Sequence, residues 1–194
     1  MKKTLKIVVL AKQVPDTRNV GKDAMKADGT VNRAALPAIF NPEDLNALEQ
    51  ALVLKDMFPG SRVDILTMGP GRAAEIIREG MFRGADGGVL LTDRKFAGSD
   101  TLATSYALSL GAKKLAPFDL ILCGRMAVDG DTAQIGPELA ERLDIPHVTD
   151  VFDIEPGQDG LFVRRETDDG VERLRVPLPA LLTVTREKSE AKRS

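Results

Sequence analysis

Apolar runs alternate with amphipathic helical patterns from the N-terminus to about residue 146. The first run is almost continuous and rich in Val and Ile, which is typical of a parallel strand buried on both faces. This β-α alternation predicts an α/β fold built on an open, doubly wound parallel sheet. The predicted strands cover residues 5–12, 62–70, 88–93 and 118–124, and the predicted helices cover 41–57, 71–84, 98–115 and a stretch from Thr132 or Gln134 to Leu143.

Local residue types predict where these helices begin and which faces they bury. Asn41 is the predicted N-cap of the first helix, and Ser99 or Asp100 that of the third. Asp131 could cap the fourth helix, in which case its charge is already satisfied there. The predicted buried stripe of the first helix consists of Leu45, Leu48, Leu52 and Met57.

The pattern changes after Pro146. Short strand-like segments now follow one another across polar turns, and "DDG" at residues 168–170 is a hairpin signal. We therefore predict a nucleotide-binding α/β domain over residues 1–146 and a small antiparallel β extension of the same domain over residues 147–186. The charged stretch 187–194 is expected to be a disordered tail.

Composition and charge exclude several classes of protein. The chain of 194 residues has a net charge of −2, 4% aromatic residues and no Trp, so we expect no nucleic-acid partner. The N-terminal apolar run "IVVLA" is too short for a signal peptide or a membrane span, which indicates a cytoplasmic protein without membrane insertion. The single cysteine, Cys123, rules out an internal disulfide and fits a reducing compartment.

Two unusual loops are candidates for a ligand site. Open α/β sheets bind ligands beyond the carboxyl ends of their strands, where the strand order reverses. The loops at residues 11–16 and 124–134 follow the first and fourth predicted strands, and Gly124 and Gly130 would let the backbone approach a ligand closely. Free N–H groups at the start of the following helix would bind an anion, so a phosphate-bearing nucleotide is the predicted ligand. Polar side chains near these helix starts are Arg125, Thr132 and Gln134, and Ser99, Thr101 and Thr104.

The same residues also have simpler interpretations. The second loop could be a plain βα turn with capping aspartates, and Lys12 a solvated lysine. Thr101 and Thr104 could be an N-cap and a helix-face hydroxyl. The sequence has no Walker A loop, no G-x-G-x-x-G after a strand and no zinc-binding set, and its single His and Cys form no catalytic pair.

Several segments together resemble the β subunit of the electron transfer flavoprotein family. The likeness extends from Leu5 to Val184, and "AVDGDTAQIGPELAE" is its most specific part. The matching segments are, in order, "VLAKQVPDT", "NPEDLNALEQALVLKD", "ILTMGP", "GADGGVLLTDRKFAGSDTLATSYAL" and "LILCGRMAVDGDTAQIGPELAERLDIPHVT".

This resemblance implies an adenine nucleotide α-hydrolase-like fold and a heterodimer with an α subunit. It implies an electron carrier rather than an enzyme, with AMP bound in most members and a second FAD in the electron-bifurcating branch. "GSDTLAT" and "DGDTAQIGP" look closer to that branch. By the family's pattern, the cofactor-binding residues would be Leu10, Lys12, Asn41, Asp44, Met68, Thr101, Thr104, Gly124, Arg125, Ala127, Val128, Asp129, Gly130, Asp131, Thr132, Gln134 and Ile135.

The sequence departs from the family at its C-terminus. Members continue for several dozen residues with a loop that docks on dehydrogenases, whereas this sequence stops at "REKSEAKRS". A dehydrogenase partner is therefore doubtful, and a non-redox adenine-nucleotide-binding regulatory or stress-type protein is the alternative. A nucleotide-hydrolysing or adenylating enzyme on the same fold is a third interpretation. The sequence argues against it, because it lacks a Ser-Gly-Gly-type pyrophosphatase loop.

Overall fold

A computed structural model describes residues 4–16, 37–157 and 160–185. Within them, the strands are β1 (Lys6–Leu10), β2 (Gln13–Pro15), β3 (Ala38–Phe40), β4 (Arg62–Met68), β5 (Gly87–Leu91), β6 (Leu120–Gly124), β7 (His147–Gly157), β8 (Gly160–Thr167), β9 (Gly170–Val176) and β10 (Ala180–Val184). The helices are α1 (Pro42–Met57), α2 (Ala74–Arg83), α3 (Thr101–Leu115) and α4 (Ile135–Leu143), with short 3₁₀ turns at Gly71–Ala73 and Arg94–Phe96.

Eight of the strands form one sheet in the order β5-β4-β1-β6-β10-β7-β8-β9. The first six of these run parallel to one another. The predicted α/β class with a mainly parallel sheet is thus confirmed. From β1 the chain builds outward through β4 to β5, then returns to the other side of β1 to form β6. The strand order therefore reverses between β1 and β6, and a crevice opens there.

Two apolar layers cover the faces of the sheet. On one face α1 packs through Leu48, Leu52 and Leu54, all nearly inaccessible to solvent. On the other face α3 and α4 pack through Leu108 and Leu139. Because β6 and β10 are buried along their whole length, both of their faces can carry apolar side chains, as continuous apolar runs predict.

The antiparallel extension consists of β7, β8 and β9, with the 168–170 turn joining β8 to β9. The predicted extension over 147–186 wrongly included residues 180–184, because β10 lies parallel between β6 and β7. Its sequence "ALLTV" is fully buried, which suits a central parallel strand rather than an edge hairpin. Division of the chain at residue 146 stays a prediction, and the 187–194 tail lies outside the described residues.

Several helix ends differ from the sequence-based expectation. Asp100 caps α3 by accepting a hydrogen bond from Ala103 N–H at 2.8 Å, so this helix begins at Thr101 rather than at residue 98. Asp131 does not cap α4, because it lies in the preceding loop with a φ of 50° and α4 begins only at Ile135. Met57 is 52% exposed instead of buried. It follows Leu48 by nine residues, which is about 180° around a helix of 3.6 residues per turn.

None of the helices in the described part of the chain is long and apolar enough to cross a membrane.

Candidate functional site

A cleft of about 420 Å³ opens at the carboxyl ends of β1, β4 and β6, beside the N-termini of α3 and α4. The adjacency of β1 and β6 brings the two unusual loops together at its base. Apolar side chains from the strand ends, including Leu10, Leu66 and Met68, form part of its wall. The cleft therefore lies where an open α/β sheet ordinarily binds a ligand.

The structure brings most of the sequence-predicted site residues to this cleft. Those among its lining are Leu10, Lys12, Asp44, Met68, Thr101, Thr104, Gly124, Arg125, Ala127, Gly130, Thr132, Gln134 and Ile135. Asn41, Val128, Asp129 and Asp131 are not part of the lining.

Other lining residues are absent from the sequence-based set. They are Ala11, Leu66, Phe96, Gly98, Asp100, Leu108, Cys123, Met126, Ala133 and Gly136, while Ser99, which the sequence analysis names beside Thr101 and Thr104, also lines the cleft. Ala11 and Cys123 are near the ends of predicted strands, so the rule that ligands bind at carboxyl ends could have found them, whereas Leu66 lies in the middle of the predicted strand 62–70. Phe96 carries no such signal, because the 3₁₀ turn that contains it was not predicted.

The two helix N-termini at the cleft differ in their electrostatic state. At α3 the Asp100 carboxylate already satisfies a free N–H and adds a negative charge. At α4 the N-cap residue Gln134 makes no side-chain cap, so the first N–H groups of the helix have no acceptor from it. The helix dipole favours negative charge at such an end. Each helix end carries one carboxylate, Asp100 at α3 and Glu138 in the first turn of α4, so what favours an anion at α4 is its uncapped N–H groups.

The loop between β6 and α4 has an unusual backbone. The N–H groups of Gly130 and Asp131 both donate to Ala127 O, at 3.1 and 2.9 Å. Asp131 and Ala133 have φ values of 50° and 53°, in the left-handed region that is unfavourable for residues other than glycine. Strained backbone of this kind clusters at ligand sites, where surrounding contacts maintain it.

Among the cations near the cleft, Lys12 and Arg125 have different partners. The Lys12 ammonium forms an ion pair with Asp129 at 2.6 Å. Arg125 is exposed, and its guanidinium lies 4.0 Å from the Met126 sulfur. Within the described residues the structure gives Arg125 no carboxylate partner, so its charge is available to an anionic ligand.

The Thr101 hydroxyl donates its proton in a hydrogen bond to the Glu138 carboxylate. The hydroxyl lies 2.9 Å from Glu138 Oε1 and 3.2 Å from Gln134 Oε1, and the shorter contact is the better hydrogen bond. The other oxygen of Glu138 is inaccessible to solvent and has no hydrogen-bond partner in the structure. Because its proton is donated to a carboxylate, Thr101 presents acceptor lone pairs to the cleft.

Asp44 is the one strongly perturbed carboxyl group at the cleft in the described part of the chain. Burial raises its pKa from 3.8 to about 7, although hydrogen bonds from Asn41, Lys12 N–H and Gly124 N–H act in the opposite direction. Burial also raises the pKa of the Cys123 thiol, so that side chain stays a neutral thiol. His147 is the first residue of β7 and does not line the cleft. No group of three or more His, Cys, Asp or Glu suited to a metal ion occurs among the described residues.

Comparison with known proteins identifies a family. The family model described as "Electron transfer flavoprotein domain" matches residues 28–193. The chain is 49% identical to the caffeyl-CoA reductase-Etf complex subunit CarD of Acetobacterium woodii, over 96% of this chain and 70% of that protein. It is 50% identical to the electron transfer flavoprotein subunit beta of Clostridium acetobutylicum, over 94% and 69%, and 43% identical to protein FixA of Azotobacter vinelandii, over 94% and 66%. The chain therefore belongs to the electron transfer flavoprotein family and is a β-like electron transfer subunit, as the resemblance of its sequence motifs predicts.

Proposed function

We propose that this chain binds an adenine nucleotide, either AMP or the adenosine diphosphate part of FAD, in the cleft between β1 and β6. The chain carries out no bond chemistry of its own and acts in electron transfer together with an α subunit. The observation that carries the proposal is one cleft lined both by the uncapped N-terminus of α4 and by Arg125, which has no carboxylate partner among the described residues.

The phosphate is assigned to the α4 end of the cleft. There the free N–H groups of the helix, its dipole and the Arg125 charge all attract an anion. Gly136 lines the cleft in the first turn of α4, and a Cβ there would lie 2.7 Å from Thr183 Cγ2, so this glycine lets the start of α4 pack closely on β10. The N-terminus of α3 offers fewer donors to the same group, because Asp100 already accepts from Ala103 N–H.

The base or ring of the nucleotide is assigned to the apolar wall. Leu10, Leu66, Met68 and Phe96 supply that wall, and an aromatic ring gains by leaving water for such a surface. A cleft of about 420 Å³ lies toward the lower end of the range of about 300–1,000 Å³ usual for small-molecule sites. We therefore expect it to hold a mononucleotide-sized group, with the remainder of any FAD extending beyond these walls.

FAD, when bound, supplies the one- and two-electron redox chemistry. The chain's residues bind and orient the nucleotide: Arg125 attracts its phosphate, and Thr101 accepts a hydrogen bond from a donor on it. Lys12 stays paired with Asp129 and shapes the loop.

The expected partners are an α subunit and an acyl-CoA-linked reductase or dehydrogenase. The names of two relatives support this, since one is called a subunit of a caffeyl-CoA reductase-Etf complex and another the acryloyl-CoA reductase electron transfer subunit gamma. Such a complex would work in the cytoplasm. A regulatory, non-redox role has no support from the relatives compared.

The test is to purify the chain with any co-encoded α subunit and identify the nucleotide released on denaturation. AMP or FAD in a ratio near one per β chain, in addition to any flavin held by the α subunit, is the expected result. A preparation with no adenine nucleotide on the β chain, and no binding of added AMP or FAD, would refute the proposal.

A further inference from the structure

The first turn of α1 lies against both cleft loops and is hydrogen-bonded to each of them. The N–H of Asn41 donates to Lys12 O at 2.9 Å, and Lys12 N–H donates to Asp44 Oδ2 at 2.9 Å. The other oxygen of the same carboxylate, Asp44 Oδ1, accepts from Gly124 N–H at 3.0 Å. One buried carboxylate therefore connects the loop after β1 to the end of β6.

The Asn41 amide binds the second loop farther along. Its Nδ2 donates to Met126 O at 3.0 Å, and its Oδ1 accepts from Val128 N–H at 3.2 Å. Asn41 is fully buried and does not line the cleft. Both ends of its amide thus face loop backbone rather than the space that a ligand would occupy.

We propose that Asn41 and Asp44 are positioning residues of the nucleotide site, and that Asn41 acts on the ligand only through the loop. Together they hold the loops after β1 and β6 at the spacing that receives the nucleotide. This inference rests on the proposed function for the identity of the ligand. It differs from the resemblance-based expectation, in which Asn41 contacts the cofactor directly.

Preorganisation is the physical reason for such a pair. The loop from Gly124 to Gln134 carries two left-handed non-glycine residues, Asp131 and Ala133, so it needs outside contacts to keep its shape. A loop that is fixed before the ligand arrives loses no conformational entropy on binding. The binding free energy is therefore more favourable by the cost that ordering the loop would otherwise impose. Removing the Asn41 amide leaves Met126 O and Val128 N–H without these partners, which frees the part of the loop next to Arg125.

The experiment compares Asn41→Ala with two other variants of the chain, each purified with any co-encoded α subunit and freed of nucleotide by dialysis. Asn46→Ala is the matched control, because Asn46 is the same residue type on the same helix but outside the cleft lining. Arg125→Ala removes a proposed direct contact. AMP affinity is measured by calorimetry, and amide hydrogen exchange is followed in peptides that cover residues 124–131.

We expect Asn41→Ala to weaken AMP binding at least fivefold and to speed exchange in residues 124–131 before any ligand is added. Saturating AMP should restore much of the protection. Arg125→Ala should weaken binding with loop exchange unchanged, and Asn46→Ala should change neither. Weaker binding by Asn41→Ala with wild-type loop exchange would overturn the inference, because Asn41 would then act by touching the ligand. Wild-type affinity would overturn it as well.

A second variant covers the case in which Asn41→Ala does not fold. Asn41→Ser keeps a residue type that suits the N-cap of α1 but lacks the amide that reaches Met126 O and Val128 N–H, so it should also weaken AMP binding and speed loop exchange. Wild-type values in Asn41→Ser would count against the inference. Failure of the wild-type chain to bind AMP or FAD refutes the proposed function instead, and the loop exchange of the variants then decides the positioning role alone.

Discussion

Asp44 Oδ1 accepts a hydrogen bond from Gly124 N–H at 3.0 Å, across 80 residues of sequence. The contact joins the first turn of α1 to the last residue of β6. It also explains why position 124 is glycine. A Cβ there would lie 2.5 Å from the Glu43 carbonyl carbon and 2.7 Å from Asp44 Oδ1. The close approach that this glycine permits is thus to α1 rather than to a ligand.

Gly124→Ala is expected to destabilise the chain by about 1–3 kcal/mol or more, because backbone atoms of α1 must move to admit the new methyl group. Gly130→Ala is the matched control in the same loop, since a Cβ at Gly130 meets nothing within 4 Å. The control should change the free energy of unfolding by less than about 0.5 kcal/mol. Urea unfolding of both variants measures the difference, and equal effects at the two positions would contradict the packing argument.

The buried carboxyl group of Asp44 makes stability depend on pH. Its pKa is raised from 3.8 to about 7, so between these values the folded chain binds more protons than the unfolded chain. Stability from this group is fully present below pH 3.8 and is lost as the pH rises through about 7. The slope cannot exceed about 1.4 kcal/mol per pH unit for a single group.

Asp44→Asn isolates this contribution, because the amide stays neutral at every pH. Relative to the wild type, the variant should gain stability as the pH rises from 5 to 8, although it loses one acceptor for the backbone N–H groups of Lys12 and Gly124. Urea unfolding at several pH values measures the difference between the two proteins. A difference that stays constant over this range would show that Asp44 does not titrate there.

The alternation of apolar runs and helical patterns was sufficient to predict the parallel sheet. Two parallel neighbouring strands must be joined by a crossover, usually a helix, and that helix covers one face of the sheet. The position of β10 could not be predicted, since a fully apolar strand fits any central place and the strand order is set by long-range packing. Asn41 shows the limit of local rules in another way. It occupies the N-cap position that its residue type predicts, yet its amide makes no cap hydrogen bond. Besides the nearby Asp44, its side chain bonds the backbone of Met126 and Val128, and no local spacing could indicate those two distant partners.

Arg125→Ala should weaken AMP binding about tenfold. This loss is near the lower end of the range for a hydrogen bond between charged groups, because Arg125 is exposed and solvent weakens its interaction with the phosphate. The loss should be small for adenosine, which lacks the phosphate. Raising the salt concentration should narrow the gap between wild type and variant, because exposed charges are screened. Arg78→Ala, at an exposed arginine of α2 outside the cleft lining, is the control and should bind both ligands normally. Equal losses for AMP and adenosine would argue against a phosphate contact.

The Thr101 and Glu138 side chains should be energetically coupled. Thr101→Val keeps the shape of the side chain but removes the hydroxyl that donates to Glu138 Oε1 at 2.9 Å. Since Glu138 Oε2 already lacks a partner, this variant leaves a partly buried carboxylate poorly satisfied, and we expect it to lose about 1–3 kcal/mol of stability.

Glu138→Met removes the same hydrogen bond from the other side. If the contact is as the structure describes it, the double variant loses less than the sum of the two single variants, by about 0.5–3 kcal/mol in urea unfolding. Strict additivity would mean that the hydroxyl is free to donate its proton into the cleft, and Thr101 would then be a donor to the ligand rather than an acceptor.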